Sequence, residues 1–193
     1  MKKGSYEKFF KRLLDIILSF LAIILLSPII LMVSILVYFK LGSPVFFTPE
    51  RPGKDEKIFK MYKFRTMSDE KDENGELLSD SIRLTAFGKW LRSTSLDELP
   101  ELFNILKGDI SIVGPRPIVE KETQIYGDDV EKLLSVKPGL TGYWQAYARN
   151  NATYESGERQ KMEMYYVEHN SLWLDIKILF KTVISVIKKE GAQ

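Results

Sequence analysis

The 193-residue sequence contains no cysteine and a single histidine, His169. The first absence excludes a disulfide framework and any thiolate metal site, and the second excludes a His-rich metal centre. Periodic repeats and low-complexity tracts are missing too, which argues against a solenoid or a long disordered tail. Charge of one sign is not in excess, the formal net charge being only +2. Overall charge therefore gives no reason to invoke nucleic acid, and none is expected as a partner. What remains, with 45% hydrophobic and 28% charged residues, suits one compact domain plus an anchoring element.

The anchor is conspicuous. From Leu13 to Phe39 the chain reads LLDIILSFLAIILLSPIILMVSILVYF, which as a helix would run roughly 40 Å, against about 30 Å for a bilayer core. The run is too long for a signal peptide and is followed by Tyr38, Phe39 and Lys40 rather than by small residues, so it is expected to stay attached. Pro28 cannot donate to the carbonyl of Ile24, so a break is expected at Ser27-Pro28. A Pro-kinked spanning helix is the plain alternative. The flanks favour a re-entrant helix: Lys8, Lys11 and Arg12 precede the run and Lys40, Arg51, Lys54 and Lys57 follow it, whereas a simple span leaves one flank poor in basic residues. Asp15 is placed at headgroup depth beside Arg12. Residues 1–40 thus form a basic N-terminus and membrane helix, and residues 41–193 a catalytic domain.

In that domain Ile58 to Arg65 alternates loosely and predicts a strand, while the polar stretch from Ser68 to Ser81, containing Asn74-Gly75, predicts a loop. Ser95 to Gly108 predicts a helix buried through Leu99, Leu102, Phe103 and Leu106 and ended by Gly108. Pro100 is tolerated only in a first turn, which puts Asp97 and Glu98 at the helix start. Ile110 to Val113 suits a short strand, followed by a rigid Gly114-Pro115-Arg116-Pro117 turn. Leu172 to Lys189 predicts an amphipathic helix, either part of the core or lying on a membrane surface. The fold class expected is α+β, mostly helical, with short strands and interfacial helices.

Asp97-Glu98 is the pair most suggestive of chemistry. Asp followed by Glu is ordinary N-cap grammar, yet a carboxylate held ionised at a helix start, where phosphates also dock, can be a nucleophile for phosphorus. Lys63, Arg65, Arg92, Arg116 and Arg149 all fall in turns or at element ends and could clamp a transferring phosphoryl group. Two prolines stiffen the backbone around Arg116, lowering the entropy lost when its guanidinium engages phosphate. A diphosphate beside one Asp suits Mg²⁺, which prefers oxygen ligands and keeps several waters.

These features, together with RPGKDEKIFKMYKFRTM (Arg51 to Met67), LRSTSLDELPELFNILKGDISIVGPRP (Leu91 to Pro117), VKPGLTG (Val136 to Gly142) and ARNN (Ala148 to Asn151), closely resemble the small monotopic phosphoglycosyl transferases, or bacterial sugar transferases, over nearly the whole chain. The resemblance implies a re-entrant helix joined to a cytoplasmic catalytic domain on the bacterial inner membrane. It implies that Asp97 attacks the sugar-bearing phosphate of a UDP-sugar, releases UMP and passes the phosphosugar to polyprenyl (undecaprenyl) phosphate. By likeness Glu98 assists as a base or as a partner at a Mg²⁺ site that includes Asp97; Lys63, Arg92 and Arg116 handle phosphate; Pro115, Arg116 and Pro117 help hold the uridine. Asn150-Asn151 points to UDP-galactose or UDP-glucose. Ser156-Gly157 looks like a small insertion, Glu163 stands where similar sequences often have Asp, and monomer and homodimer both stay open. Two other readings remain: direct transfer in a ternary complex with Glu98 activating the lipid phosphate, and a membrane-tethered nucleotide-binding scaffold.

Overall fold

The computed structural model describes residues 6–148 and 152–187. Arg149, Asn150 and Asn151 lie outside the described residues. As expected, the protein is mostly helical with a few short strands.

A turn over Tyr6–Phe10 leads into α1, Lys11–Leu41, a helix of 31 residues that continues through Pro28. The helix is therefore not interrupted at Ser27-Pro28 as expected, and the reason is local. The carbonyl that Pro28 leaves without a backbone donor is that of Ile24, and the Ser27 hydroxyl donates to it at 2.8 Å, supplying the missing bond inside an apolar segment. One face of α1 lies on the domain. Ala22, Ile23 and Leu26 pack against Phe59, Met61, Leu102, Ile105 and Ile110, and Val33 and Val37, both 0% exposed, pack with Phe64 and Leu91. Much of the rest, including Leu14, Leu18, Leu21, Leu25 and Phe39, is exposed, an apolar surface of the kind that marks contact with a membrane or a partner.

Both ends of α1 are tied to the domain. Arg12 donates to the carbonyls of Ile105 and Leu106 at 2.6 and 2.8 Å, capping a neighbouring helix end. Asp15 is buried and accepts from the Ser111 hydroxyl and the Ile112 backbone N–H, each at 3.0 Å. Its carboxylate is thus bonded into the domain, because a buried carboxylate is stable where donors converge on it. At the other end the Arg65 guanidinium bonds the carbonyl of Leu41.

The domain itself is a set of short elements. Strand β1 (Phe46–Phe47) pairs antiparallel with β4 (Lys63–Phe64), and β2 (Glu50–Pro52) with β3 (Ile58–Lys60). The single strand predicted over Ile58 to Arg65 is thus two. Buried Asn104 causes the change: its side chain accepts from Tyr62 N–H and donates to the Lys60 carbonyl, both at 2.8 Å, diverting backbone groups that a continuous ladder would use. Two helices follow, α2 (Asp80–Arg83) and α3 (Ala86–Ser93), then a tight turn over Leu96–Glu98 and α4 (Glu101–Lys107), ended by Gly108 at φ 101°. Strand β5 (Ser111–Val113) runs parallel to β6 (Gly139–Thr141), with α5 (Thr123–Tyr126) and α6 (Val130–Leu133) between them. Three helices complete the chain: α7 (Tyr143–Tyr147), α8 (Glu158–His169) and α9 (Leu172–Ile187).

Helix α9 is buried on one side and exposed and apolar on the other. Asp175 and Ile178 are buried, whereas Trp173, Ile176, Phe180 and Val183 are exposed and recur at helical spacing, giving a second apolar outer face. Asp175 joins this helix to the start of α1. It accepts from Tyr6 Oη at 2.6 Å, Lys11 Nζ at 2.5 Å and Tyr166 Oη at 2.7 Å.

Candidate active site

A cleft of about 400 Å³ opens beside Asp97 and is lined by Arg51, Lys63, Thr66, Arg92, Glu98, Glu101, Arg116 and Pro117 among others. Several elements bring these side chains together, and those that carry Lys63, Arg92 and Arg116 are placed by identifiable packing constraints. Lys63 comes from β4, whose approach is held by the Asn104 clamp on Lys60 and Tyr62. Arg92 comes from α3, which lies so close to the chain at Thr66 that a Cβ on Gly88 would stand 1.8 Å from the Thr66 carbonyl oxygen. Only glycine permits that approach. It lets Arg92 Nε donate to Thr66 Oγ1 at 3.1 Å.

Asp97 and Glu98 lie on the turn before α4. Ser95 immediately precedes it with φ 54°, in the left-handed region, a conformation that non-glycine residues adopt only when their surroundings enforce it. The sequence placed the carboxylates at a helix start, and the structure places them slightly ahead of it, with α4 beginning at Glu101 and only seven residues long. The dipole of so short a helix is a weak field at Asp97. The favourable charge comes from side chains instead. Burial and the neighbouring Glu98 raise the Asp97 carboxyl to about 6, against the opposing pull of Lys63 and Arg92. With 8% of its surface exposed, Asp97 is desolvated yet remains mostly ionised at neutral pH.

Lys63 is the hub of the cleft. Its ammonium lies 2.9 Å from Glu98 Oε1 and 3.1 Å from Glu101 Oε1. Burial alone would lower its pKa, but Glu98 and Glu101 more than offset this and hold it above the ordinary lysine range. Glu101 was not singled out from the sequence. Burial raises it to about 7, with Lys63 pulling the other way and Glu98 adding to the rise. The available signal was its place one helical turn after Asp97.

Arg116 stands on the opposite wall, its Nη1 3.9 Å from Glu98 Oε1. The turn that carries it is built from two sequence motifs that meet. Gly114 N–H donates to the Thr141 carbonyl at 2.9 Å and Gly139 N–H to the Pro115 carbonyl at 2.8 Å. A Cβ on Gly114 would lie 2.5 Å from the Lys137 carbonyl oxygen, and one on Gly139 2.1 Å from Gly114 N. Beneath the turn, fully buried Glu163 accepts from Arg116 N–H at 3.1 Å. Pro117 lines the cleft, and Pro115 supports it through its carbonyl. Arg51, read from the sequence only as a membrane-flanking charge, also lines the cleft. Burial lowers its pKa, Glu122 raises it and the charge of Arg116 lowers it further. Arg65, by contrast, is directed to Leu41 and to Asp69, which it meets at 3.0 Å, and is not among the residues lining the cleft.

The arrangement is a desolvated carboxylate facing a cationic wall of Lys63, Arg92, Arg116 and Arg51. A water-excluded carboxylate is a competent nucleophile, and preplaced cations stabilise charge that develops on phosphate oxygens. Among the described residues no three or more His, Asp or Glu side chains are grouped to hold a metal ion.

Comparison with known proteins gives the same direction. The family described as bacterial sugar transferase matches residues 6–189. The chain is 44% identical to the uncharacterized sugar transferase EpsL of Bacillus subtilis, over 95% of this chain and 90% of that one. It is 42% identical to the undecaprenyl-phosphate galactose phosphotransferase of Salmonella typhimurium, and 39% identical to the UDP-galactose-lipid carrier transferase of Erwinia amylovora. Both matches span 96% of this chain and 42% of the relative, so it covers under half the length of those two proteins. On the extent of these matches, the chain belongs to the bacterial sugar transferase family.

Proposed function

We propose that the protein transfers a sugar 1-phosphate from a UDP-sugar to a polyprenyl phosphate, by way of a phosphosugar covalently held on Asp97. The observation that carries this reading is the desolvated Asp97 carboxylate lining one cleft with Lys63, Arg92 and Arg116. In the first step an Asp97 oxygen attacks the phosphorus that bears the sugar. The bond to the bridging oxygen breaks, and UMP departs with the electron pair. In the second, an oxygen of the lipid phosphate attacks the same phosphorus and Asp97 leaves as a free carboxylate, giving a polyprenyl diphosphate sugar. Lys63, Arg92, Arg116 and Arg51 take the negative charge of the diphosphate, and Pro117 at the cleft wall supports the uridine side.

Mg²⁺ fits this site as an ion held by one or two carboxylates plus substrate oxygens. Asp97 and Glu98 repel one another electrostatically, and no all-protein cage exists among the described residues. Asp97 and Glu98 would hold it, and it would neutralise diphosphate charge. Glu98 is engaged by Lys63 at 2.9 Å, which suits a charge-organising role better than that of a free base for direct transfer.

We further assign the protein to the cytoplasmic face of the inner membrane, with both ends of α1 on that face. Arg12 and Asp15 at one end, and Val33, Val37 and Leu41 at the other, all bind the same domain. A spanning helix would need that domain on both sides of the bilayer. Cysteines introduced at Phe9 and Thr48, both exposed, should react with an impermeant reagent from the same side; opposite-side labelling would defeat this topology.

The test of the chemistry is to incubate the purified protein with UDP-sugars, UDP-galactose and UDP-glucose first, without lipid. UMP release and a mass increase on the peptide containing Asp97 are expected. UMP release that strictly requires lipid would favour direct transfer, and UDP-sugar binding with unaltered turnover in Asp97→Asn would reduce Asp97 to a structural role.

A further inference from the structure

We propose that a second cavity, of about 300 Å³, holds the isoprene units nearest the phosphate of the lipid acceptor and delivers that phosphate to the Glu98 side of the reaction cleft. The proposal rests on the function proposed above and adds to it the acceptor's path. The cavity lies between α1, α4, the β5/β6 pair and α9, with Leu26, Leu102, Ile112 and Leu179 in its wall. It meets the first cleft directly, because Ser95, Glu98 and Leu140 line both.

Its chemistry changes from one end to the other. At the outer end Leu26 is followed back along α1 by Leu25, 78% exposed, and Leu179 on α9 is followed by Phe180, 70% exposed. Both neighbours belong to exposed apolar faces of the kind that contacts a membrane, so the mouth opens where a membrane-dissolved chain resides. In the wall, the two threonines are already satisfied within the protein. Thr182 Oγ1 donates to the Ile178 carbonyl at 2.8 Å, which leaves Thr141 to donate to Thr182 at 2.8 Å. With these hydroxyls turned to internal bonds, the lining offers a ligand mainly hydrocarbon. At the inner end the channel reaches Glu98, whose carboxylate pairs with the Lys63 ammonium at 2.9 Å and faces the Arg116 guanidinium at 3.9 Å, so one phosphate would meet both cations there, with Glu98 and Glu101 offsetting part of their charge. An apolar channel closed by cations matches an isoprenyl phosphate: a single hydrocarbon tail with its charge at one end. The volume suits a few isoprene units, leaving the rest of a long tail in the bilayer.

The test fills the channel from α9, away from the first cleft. Leu179→Trp and Thr182→Leu should each raise the KM for farnesyl phosphate about tenfold. UMP release from UDP-sugar without lipid should stay within twofold of the parent, because neither residue lines the donor cleft. An unchanged acceptor KM in folded variants overturns the proposal. Should the larger side chains unfold the protein, photo-crosslinking of the unaltered enzyme decides: a diazirine on the second isoprene unit should label α9 near Leu179 or α1 near Leu26, and labelling confined to other segments overturns it. Absence of UMP release from the parent enzyme both with and without lipid would instead sink the transfer reading itself, so the two failures are distinguishable.

Discussion

The cleft beside Asp97 and the side of the protein where α1 meets α9 both bury carboxylates, and they do so to opposite ends. Asp15 and Asp175, on these helices, each accept from more than one donor: Ser111 and Ile112 for the first, Tyr6, Lys11 and Tyr166 for the second. In the cleft, Asp97 and Glu101 are buried beside another carboxylate, and their pKa values rise to about 6 and about 7, with burial the leading cause in each. Carboxylates that accept from several donors hold a structure together. Those left short of donors and flanked by like charge are poised to accept a phosphorus atom, a cation or a proton.

The sharpest way to break this comparison is to neutralise one member of each set. Asp97→Asn should lower transfer at least about a thousandfold, as expected for loss of a nucleophile, while circular dichroism and Tm stay close to the parent. Asp175→Ala should show the reverse weighting. It leaves Lys11 and two tyrosyl hydroxyls without their shared acceptor, at a cost of about 3 kcal/mol in stability, read as a large fall in Tm in detergent. A thermally intact Asp175→Ala would show that its ion pair is ornamental.

Glu163 sharpens the distinction, since it is buried like the structural set but short of donors like the cleft. Burial raises it to about 7, opposed by the Arg116 backbone bond and by the charges of Arg159 and Arg116. A folded-state pKa raised above the unfolded 4.5 means that the folded protein holds the proton more tightly. That contribution is complete below about pH 4.5 and is lost as pH rises through about 7. Glu163→Gln should therefore have a Tm a few degrees above the parent at pH 8, the gap closing below pH 5. A gap of equal size at both pH values would mean that folding does not raise the pKa of Glu163.

The smallest effect is expected at Ser27. Ser27→Ala removes the donor that serves the Ile24 carbonyl and should cost about 1 kcal/mol, visible as faster amide exchange around Pro28 with activity retained.

Much of this was legible in the sequence because it was local. Pro100 confined Asp97 and Glu98 to the start of an element, Gly108 ended α4, and the Gly-Pro-Arg-Pro and Val-Lys-Pro-Gly stretches announced rigid turns. What could not be read depended on meetings between distant segments. Nothing near Asp175 in sequence says that Tyr6 and Lys11 will reach it, and nothing near Asn104 says that it will split a strand forty residues earlier. Arg51 reads as a flanking charge until β2 carries it to Arg116. At Pro28 the error was of another kind: the lost backbone bond was counted, and the hydroxyl one residue before it was not.

The bond between Lys11 and Asp175 spans 164 residues, which has a consequence for how the molecule is made. Residues of α1 leave the ribosome long before Asp175 has been translated. Until then the ammonium at the start of the anchor has no carboxylate to close on. The Lys11–Asp175 bond is therefore a clasp between α1 and α9, and it can close only after the later of the two helices has been made.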